Sequence, residues 1–496
     1  MPRFFIILLL CLTGHAMAQQ PIFSRQQLQQ DLNYLDTALR ELHPGLFRYQ
    51  SPAQFDSAVQ ATHMAIRDQM PLRDAYASFS SLVAGIRCAH TVLVPRSNWA
   101  DTLRTAKFYL PFQVFFIRGD AYLVVNRSSN QDVHPGDRLL SINDRPITAI
   151  RDEIFRHLFS DGYIETLKYR QIHDQLFSYF YNCFIEQADS FRVTYQNAGG
   201  ETKTITVPAL DMTEMNRNVF ANPVNQFFLQ EARKQKPHSH ELSLDKEKKI
   251  ATIYLWQFFG GKNGAQARAA MNRFMDESLA KISRSGITDL IVDLRYNGGG
   301  YDNQGQALLS YFIDQPVLYY RSMRTVTNSS PLLAHSSLSP DDLKQVRDSL
   351  VPLPDGTYRV PVSVNPTLDS VRPAAQRFKG NVYFLVNGAT GSTTAEFTAV
   401  AHHLRVGTFI GDETGGNYTG GNGGEFVGLL LPNTRMHVTI PVVRYENAVD
   451  HPAQEGRGTI PDYPDNYTIT EAVSNRDTAR ELAYRLIAEK RAKGQQ

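Results

Sequence analysis

Residues 250–294 constrain the fold more tightly than any other part of the chain. Ile250–Phe258 is an apolar run rich in β-branched and aromatic residues, too short for a helix, and it reads as a strand. Met271, Phe274, Met275, Leu279 and Ile282 then recur at helical spacing until Gly286, and Leu290–Leu294 is a second buried strand. Strand, helix and strand within about 45 residues make a βαβ unit, so a parallel sheet with helices packed on it is expected.

Asn381–Ala399 adds a further strand-to-helix step. Val382–Val386 reads as a buried strand ending at Asn387-Gly388, and Phe397, Val400, Ala401 and Leu404 mark a helix that stops at Gly407. Ser392 falls on the turn between them, where open backbone N–H groups and the helix dipole favour developing negative charge. Two readings stand at this point: a nucleophilic hydroxyl, or an N-cap at Ser392 or Thr393 with Glu396 completing a capping box.

At 496 residues the chain is long enough for two or three domains. Arg3, the apolar run Phe4–Leu12 and Ala16-Met17-Ala18 have the form of a secretory signal, residues 1–18, cleaved after Ala18. Leu10 before Cys11 disfavours a lipoprotein. The run is too short to span a bilayer, so no stable membrane anchor is expected and the mature protein is periplasmic or secreted. Removal of residues 1–18 leaves 50 basic and 49 acidic residues, a net charge of +1, which gives no reason to expect nucleic acid as a partner. Cys88 and Cys183 remain, either as a disulfide or as two packed thiols; neither has metal-ligand spacing, and no cofactor is suggested.

In chain order, residues 19–104 read as a helical region. Leu28, Leu32, Leu35 and Leu39 form one helix ended by His43-Pro44-Gly45, and Pro52–Ile86 forms a second stretch broken at Pro71. His90 lies just beyond it, before a β-prone run, either as a structural hydrogen-bonder or as a base. Residues 105–210 change to short strands at Tyr109–Ile117, Ala121–Val125, Arg138–Ile142 and Ser190–Gln196. Within them His134–Ile147, with Asp144 where glycine is usual, resembles PDZ domains. That resemblance implies a module taking peptide as an added strand, with Leu110-Pro111-Phe112 as the nearest peptide-end loop; a packed β-spacer is the plainer reading. Residues 211–248 belong to a polar, irregular connection running from about 206, and 249–496 form the α/β core with an insertion at 326–378. A glycine-rich loop, Gly411–Gly424, precedes a hairpin of Phe426–Leu431 and Met436–Val443, and a helix at Thr478–Arg491 closes the chain.

Strand Leu290–Leu294 runs into Arg295-Tyr296-Asn297-Gly298-Gly299-Gly300. This lacks the spacing of a phosphate loop but suits an oxyanion-binding loop if it ends near Ser392; a plain turn is the other reading. DLRYNGGG, NGATGSTTAEF, GDETGG and EGRGTIPD, in this order after the PDZ-like segment, together resemble the tail-specific, or C-terminal processing, serine protease family over residues 85–480. The resemblance implies a multidomain α/β fold with a crotonase-like core, and an endopeptidase acting on peptide or unfolded protein. Its nucleophile would be Ser392, with oxyanion donors from Gly298, Gly299, Gly300 and Thr393. Thr393 is the minority candidate for the nucleophile.

Asn417 stands where the best-known branch carries a lysine base, and no lysine occurs between Lys379 and Lys490. A second branch, similar to the tricorn protease core and the repeats of retinol-binding proteins, uses a histidine and a glutamate instead. Cys88-Ala89-His90-Thr91 matches its histidine motif, with Cys-Ala where Asp-Gly is usual, and Glu455–Asp462 matches its glutamate motif. The resemblance therefore implies His90 as base and Glu455 as its carboxylate, with Thr91 as a relay; His402, His403, His437 and His451 are weaker alternatives. A non-catalytic binder of peptides or hydrophobic ligands with the same fold is the rival reading.

Overall fold

The computed structural model describes residues 21–95, 106–173, 176–234, 240–450 and 455–493. The signal-like segment 1–18 and His451 lie outside them. Helices α1 (Arg25–Leu42), α2 (Pro52–Ala65) and α3 (Leu72–Ala84) open the chain. Ser24 and Ser51 begin the first two through capping boxes with Gln27 and Gln54, and Pro71 falls in the break before the third. Leu28, Leu32, Leu35, Leu39, Phe55 and Phe79 are fully buried, each worth about 1.5–3 kcal/mol relative to exposure. They share one apolar core with Val427, Leu429, Val438 and Ile440 from more than 300 residues downstream. Asp31 fastens the two regions: its buried carboxylate accepts Asn433 N–H (2.8 Å), Thr434 N–H (2.8 Å) and Thr434 Oγ1–H (2.6 Å). Strand β1 (Val92–Val94), two residues after His90, follows α3.

Strands β2 (Phe112–Ile117), β3 (Asp120–Asn126) and β4 (Arg138–Ile142), helices α4 (Ile147–Phe155), α5 (Glu165–Ile172) and α6 (Leu176–Phe184), and strands β5 (Ser190–Gln196) and β6 (Thr202–Pro208) form a second unit. Its antiparallel sheet runs β2-β3-β4-β5-β6, with β2 at one edge. That edge is occupied from within. Ser178 Oγ donates to the carbonyls of Leu110 (2.8 Å) and Phe112 (3.2 Å), Phe112 N–H turns back to Leu110 O (2.9 Å), and Phe116 N–H meets His173 Nε2 at 3.4 Å. Leu110 and Phe112 are fully buried, so Leu110-Pro111-Phe112 is a packed corner rather than an open peptide-end loop.

The stretch from about 206, read as irregular, is regular. It holds α7 (Met212–Ala221), α8 (Gln226–Lys234) and β7 (His240–Asp245). Met215 is the one fully buried residue of α7, too few to leave an apolar stripe in the sequence. β7 pairs antiparallel with β8 (Ile250–Leu255), so the core sheet begins before residue 249.

After β8 come α9 (Gly264–Arg284), β9 (Asp289–Asp293), α10 (Asp302–Ser310), β10 (Tyr320–Thr325) and, in the insertion, α11 (Pro340–Ser349). Next follow β11 (Asn381–Val386), α12 (Ser392–His403) and β12 (Thr408–Gly411). The long hairpin β13 (Asn422–Leu430) and β14 (His437–Asn447), the short β15 (Tyr463–Pro464) and α13 (Thr478–Lys493) complete the chain. The main sheet runs β7-β8-β9-β11-β12-β15, parallel from β8 onward as the βαβ pattern requires. Both faces of β9 and β11 are buried, which explains their unbroken apolar runs. The hairpin belongs to a second sheet, where β1 pairs antiparallel with β14, Thr439 opposite Val92. This pairing delivers the His90 turn to the core. The Cys88 and Cys183 thiols are buried and unpaired. Among the described residues no helix is long and apolar enough to cross a membrane.

Candidate active site

Strand β11 ends at Val386, and five residues later the chain enters α12 through Gly391, the N-cap residue. No side chain caps this helix, and Ser392 takes φ +49°. The capping-box reading therefore fails: a serine in the left-handed region is a strained placement that presents its hydroxyl rather than tying it down. Thr393 Oγ1 instead donates to Gly300 O at 3.0 Å and is buried. The Thr393 hydroxyl is thus already engaged in a hydrogen bond.

The glycine loop lies directly over this turn. Gly391 N–H donates to Asn297 O (3.0 Å), and Gly299, at φ +106°, leaves no room for a side chain, since a Cβ there would stand 2.6 Å from Ser392 Cβ. Gly299 N–H is committed to Asn297 Oδ1 (3.0 Å), so this amide is not an oxyanion donor; glycine at 299 provides clearance. The Thr393 amide lies beside it, 3.0 Å from where that Cβ would stand.

His90 and Ser392, 302 residues apart, line one narrow cleft of about 20 Å³ together with Asp161, Asp302, Glu396, Gly416, Asn417 and Asn422. The His90 turn is held from below by a buried network. Gly45 N–H donates to His43 Nδ1 (3.1 Å), which puts the proton on Nε2, facing Thr91 Oγ1 at 2.7 Å. Burial lowers the His43 pKa to about 4, keeping this ring neutral. Asn422 Nδ2–H donates to Cys88 Sγ (3.4 Å), whose thiol burial pushes up to about 11. Thr91 is thus engaged with His43 and is part of this support. His90 Nδ1 is buried without a hydrogen-bond partner, and the ring lies 5.7 Å from that of Phe426.

Glu455 is not brought to the cleft. Its side chain is 62% exposed and reaches Arg48 at 3.5 Å. The rest of its motif is structural: Arg457 and Gly458 N–H bind the buried Glu413 carboxylate, and Asp462 accepts Phe409 N–H (2.8 Å). Asn417, at the place of the other branch's lysine, is fixed by Tyr49 (2.7 Å) and Thr419 N–H (2.9 Å). His402 sits near Tyr418 and Asp462, and His437 in β14; neither lines the cleft.

Two carboxyl groups line the cleft with Ser392: Asp302, which sequence reading missed, and Glu396, which it read only as part of a capping box. Asp302, at the start of α10, accepts Tyr445 O–H (2.8 Å), and Glu396 accepts Tyr320 O–H (2.6 Å). Burial raises both pKa values, and for Glu396 the charge of Asp302 adds to the effect. Asp161 was missed as well. It follows α4 in a short Ser-Asp-Gly turn, and its Oδ1 accepts Ala89 N–H at 2.7 Å. Among the described residues no group of histidine, cysteine, aspartate and glutamate side chains is placed to hold a metal ion. A groove of about 570 Å³ shares Gly300, Asp302, Gly424 and Tyr445 with the cleft or its glycine loop and continues between Met323, Leu343 and Val346 of the insertion side.

Residues 249–464, which contain the glycine loop, Ser392 and the Glu455 motif, match the model of Peptidase family S41. No curated protein matches the chain. Among solved structures, mature CPAF complexed with lactacystin is similar at 12% identity and a TM-score of 0.59, over 94% of this chain and 98% of that one. A serine-to-alanine mutant of CPAF is similar at 12% identity and a TM-score of 0.61, over 92% and 96%. At such identities the likeness is one of fold. Over residues 249–464 the chain is thus similar to Peptidase family S41, and that match supports a serine-type peptidase.

Proposed function

We propose that the protein is a serine endopeptidase of peptides and unfolded proteins, acting outside the cytoplasm, with Ser392 as nucleophile and His90 as base. The observation that carries this is the convergence of Ser392 and His90 on one cleft beneath the glycine loop. Ser392 Oγ attacks the scissile carbonyl carbon while His90 takes the hydroxyl proton. The oxyanion that forms is met by the Thr393 amide and the glycine loop. Collapse breaks the C–N bond, His90 protonates the departing amine, and water then cleaves the acyl-enzyme to a carboxylic acid, restoring Ser392. The family resemblance assigns Glu455 to this arrangement, but its side chain pairs with Arg48 and does not line the cleft.

The finer fold reading is also ours: a crotonase-like core, supported by the parallel sheet and its α12 turn, and a PDZ-like unit around β2–β6. The occupied β2 edge favours a packing role for that unit over strand addition. The apolar groove beside the cleft accommodates substrate residues flanking the scissile bond.

A serine-directed phosphonate tests the reading. Stoichiometric modification mapped to Ser392, lost in Ser392→Ala together with hydrolysis of an unstructured peptide, is the expected result. Full activity in Ser392→Ala with Thr393 intact would reject it, and a native protein that neither reacts nor hydrolyses would leave the binder reading standing.

A further inference from the structure

The orphaned His90 Nδ1 and the position of Glu455 raise the question of which carboxylate serves the base. The chain answers with an interposed segment. Gly162 N–H donates to Arg87 O (3.0 Å) on the His90 turn, and Tyr163 N–H donates to Gly456 O (2.8 Å) on the Glu455 turn. The 161–163 turn is therefore wedged between the two, so tightly that a Cβ on Gly162 would meet Gly456 O at 2.4 Å. Arg87 completes the wedge by lying over the Tyr163 ring at 4.2 Å. What this wedge presents to the cleft is a buried carboxylate, Asp161.

Its two oxygens face different ways. Oδ1 binds the backbone N–H of Ala89, the residue before His90, at 2.7 Å. Oδ2 looks onto Gly416 and Gly421, both of which line the cleft; a Cβ on Gly421 would stand 3.3 Å from it. We propose that Asp161, rather than Glu455, is the positioning carboxylate of this peptidase: it holds the His90 turn and stabilises the imidazolium formed when His90 takes the Ser392 proton. This rests on His90 being the base.

The other ionisable groups around His90 are less suited. Asp302 and Glu396 on the Ser392 side are tied to Tyr445 and Tyr320 and are held toward their protonated forms by burial. His43 beneath the turn is neutral. Arg87 is engaged with Tyr163, Arg48 pairs with Glu455 on the outer side, and Glu425, next to Phe426, binds Ser337. If Asp161 plays this part, removing its charge disfavours the imidazolium formed during reaction and moves the acidic limb of activity to lower pH.

The test compares Asp161→Asn, Asp161→Glu and Glu455→Gln in the full chain, reading kcat and KM on one unstructured peptide across pH. Asparagine keeps an acceptor for Ala89 N–H and removes the charge. The expected result is a fall in kcat of roughly 10–100-fold at little change in KM, with the acidic limb moved down by about 1 pH unit. Asp161→Glu, which restores the charge, keeps the native limb, and Glu455→Gln leaves the limb in place. An unmoved limb in Asp161→Asn, a displaced limb in Asp161→Glu, or a limb displaced by Glu455→Gln would each overturn the assignment. Phosphonate labelling of Ser392 in the native protein separates the two failures: retained labelling with an unmoved limb rejects Asp161 alone, whereas absent labelling rejects the peptidase reading beneath it.

Discussion

Replacing Gly299 by alanine tests how the glycine loop and the Ser392 turn fit together. The added Cβ would lie 2.6 Å from Ser392 Cβ, 3.0 Å from Thr393 N and 3.1 Å from Gly391 O, whereas ordinary contact begins near 3.4 Å. The first of these alone demands a displacement of roughly 0.8 Å, and the other two atoms are backbone, so no side-chain rotation relieves it. A misplacement of about 1 Å at reacting groups costs on the order of 100-fold in rate. In addition, φ +106° is strained for alanine, at about 1–3 kcal/mol, which lowers the melting temperature by several degrees. The measurement is kcat/KM on an internally quenched peptide, with thermal unfolding alongside. Gly298→Ala is the thermal control, because its Cβ meets nothing within 4 Å and its unfolding should match the native protein. A Gly299→Ala protein within threefold of native activity would show that the loop does not sit on the reacting turn as described.

Three further outcomes follow from buried groups. Glu396 has a raised pKa, so the unfolded chain loses its proton at lower pH than the folded one; stability is full below the ordinary carboxyl range and declines as pH rises from there toward the raised value. Glu396→Gln should flatten that decline in urea titrations run at several pH values, and an unchanged slope would refute it. Asp31→Ala strands several buried donors at the α1–hairpin junction and should destabilise the fold by about 3 kcal/mol or more, read from the urea midpoint. Cys88 and Cys183, with thiols pushed up to about 11 and about 12 by burial, should resist alkylation in the native state and react once denatured; fast native labelling of either would contradict their burial.

What could be read from the sequence is what repeats or punctuates. Strands β9 and β11 are buried on both faces and so appear as continuous apolar runs, and α1 shows its stripe because it packs against two bodies at once. Helix α7 buries only Met215 fully, and its pattern carries little signal. Ser392 was visible as a turn residue, but whether it caps the helix or is strained depends on its φ angle, set in a turn against which the Gly299 loop packs closely. Glu455 stood out through its motif spacing, which records how Arg457 and Gly458 lock onto Glu413 and Asp462 onto Phe409 of β12 as much as any chemistry. Asp161 gave no signal of its own. An aspartate before a glycine reads as a turn wherever it occurs. Here the Asp-Gly pair absent from Cys88-Ala89 is met in space at 161–162, hydrogen-bonded to the His90 turn.

The pairing of β1 with β14 also sets a biosynthetic order. Val94 and its partner His437 are separated by roughly 340 residues, which a ribosome needs about 20–70 s to add. During that interval a nascent chain already contains His90, and in its later part Ser392, yet the histidine turn has no strand to dock on. Because the strand that seats the histidine turn is made after the serine, the cleft that His90 and Ser392 share is complete only once the hairpin has been added.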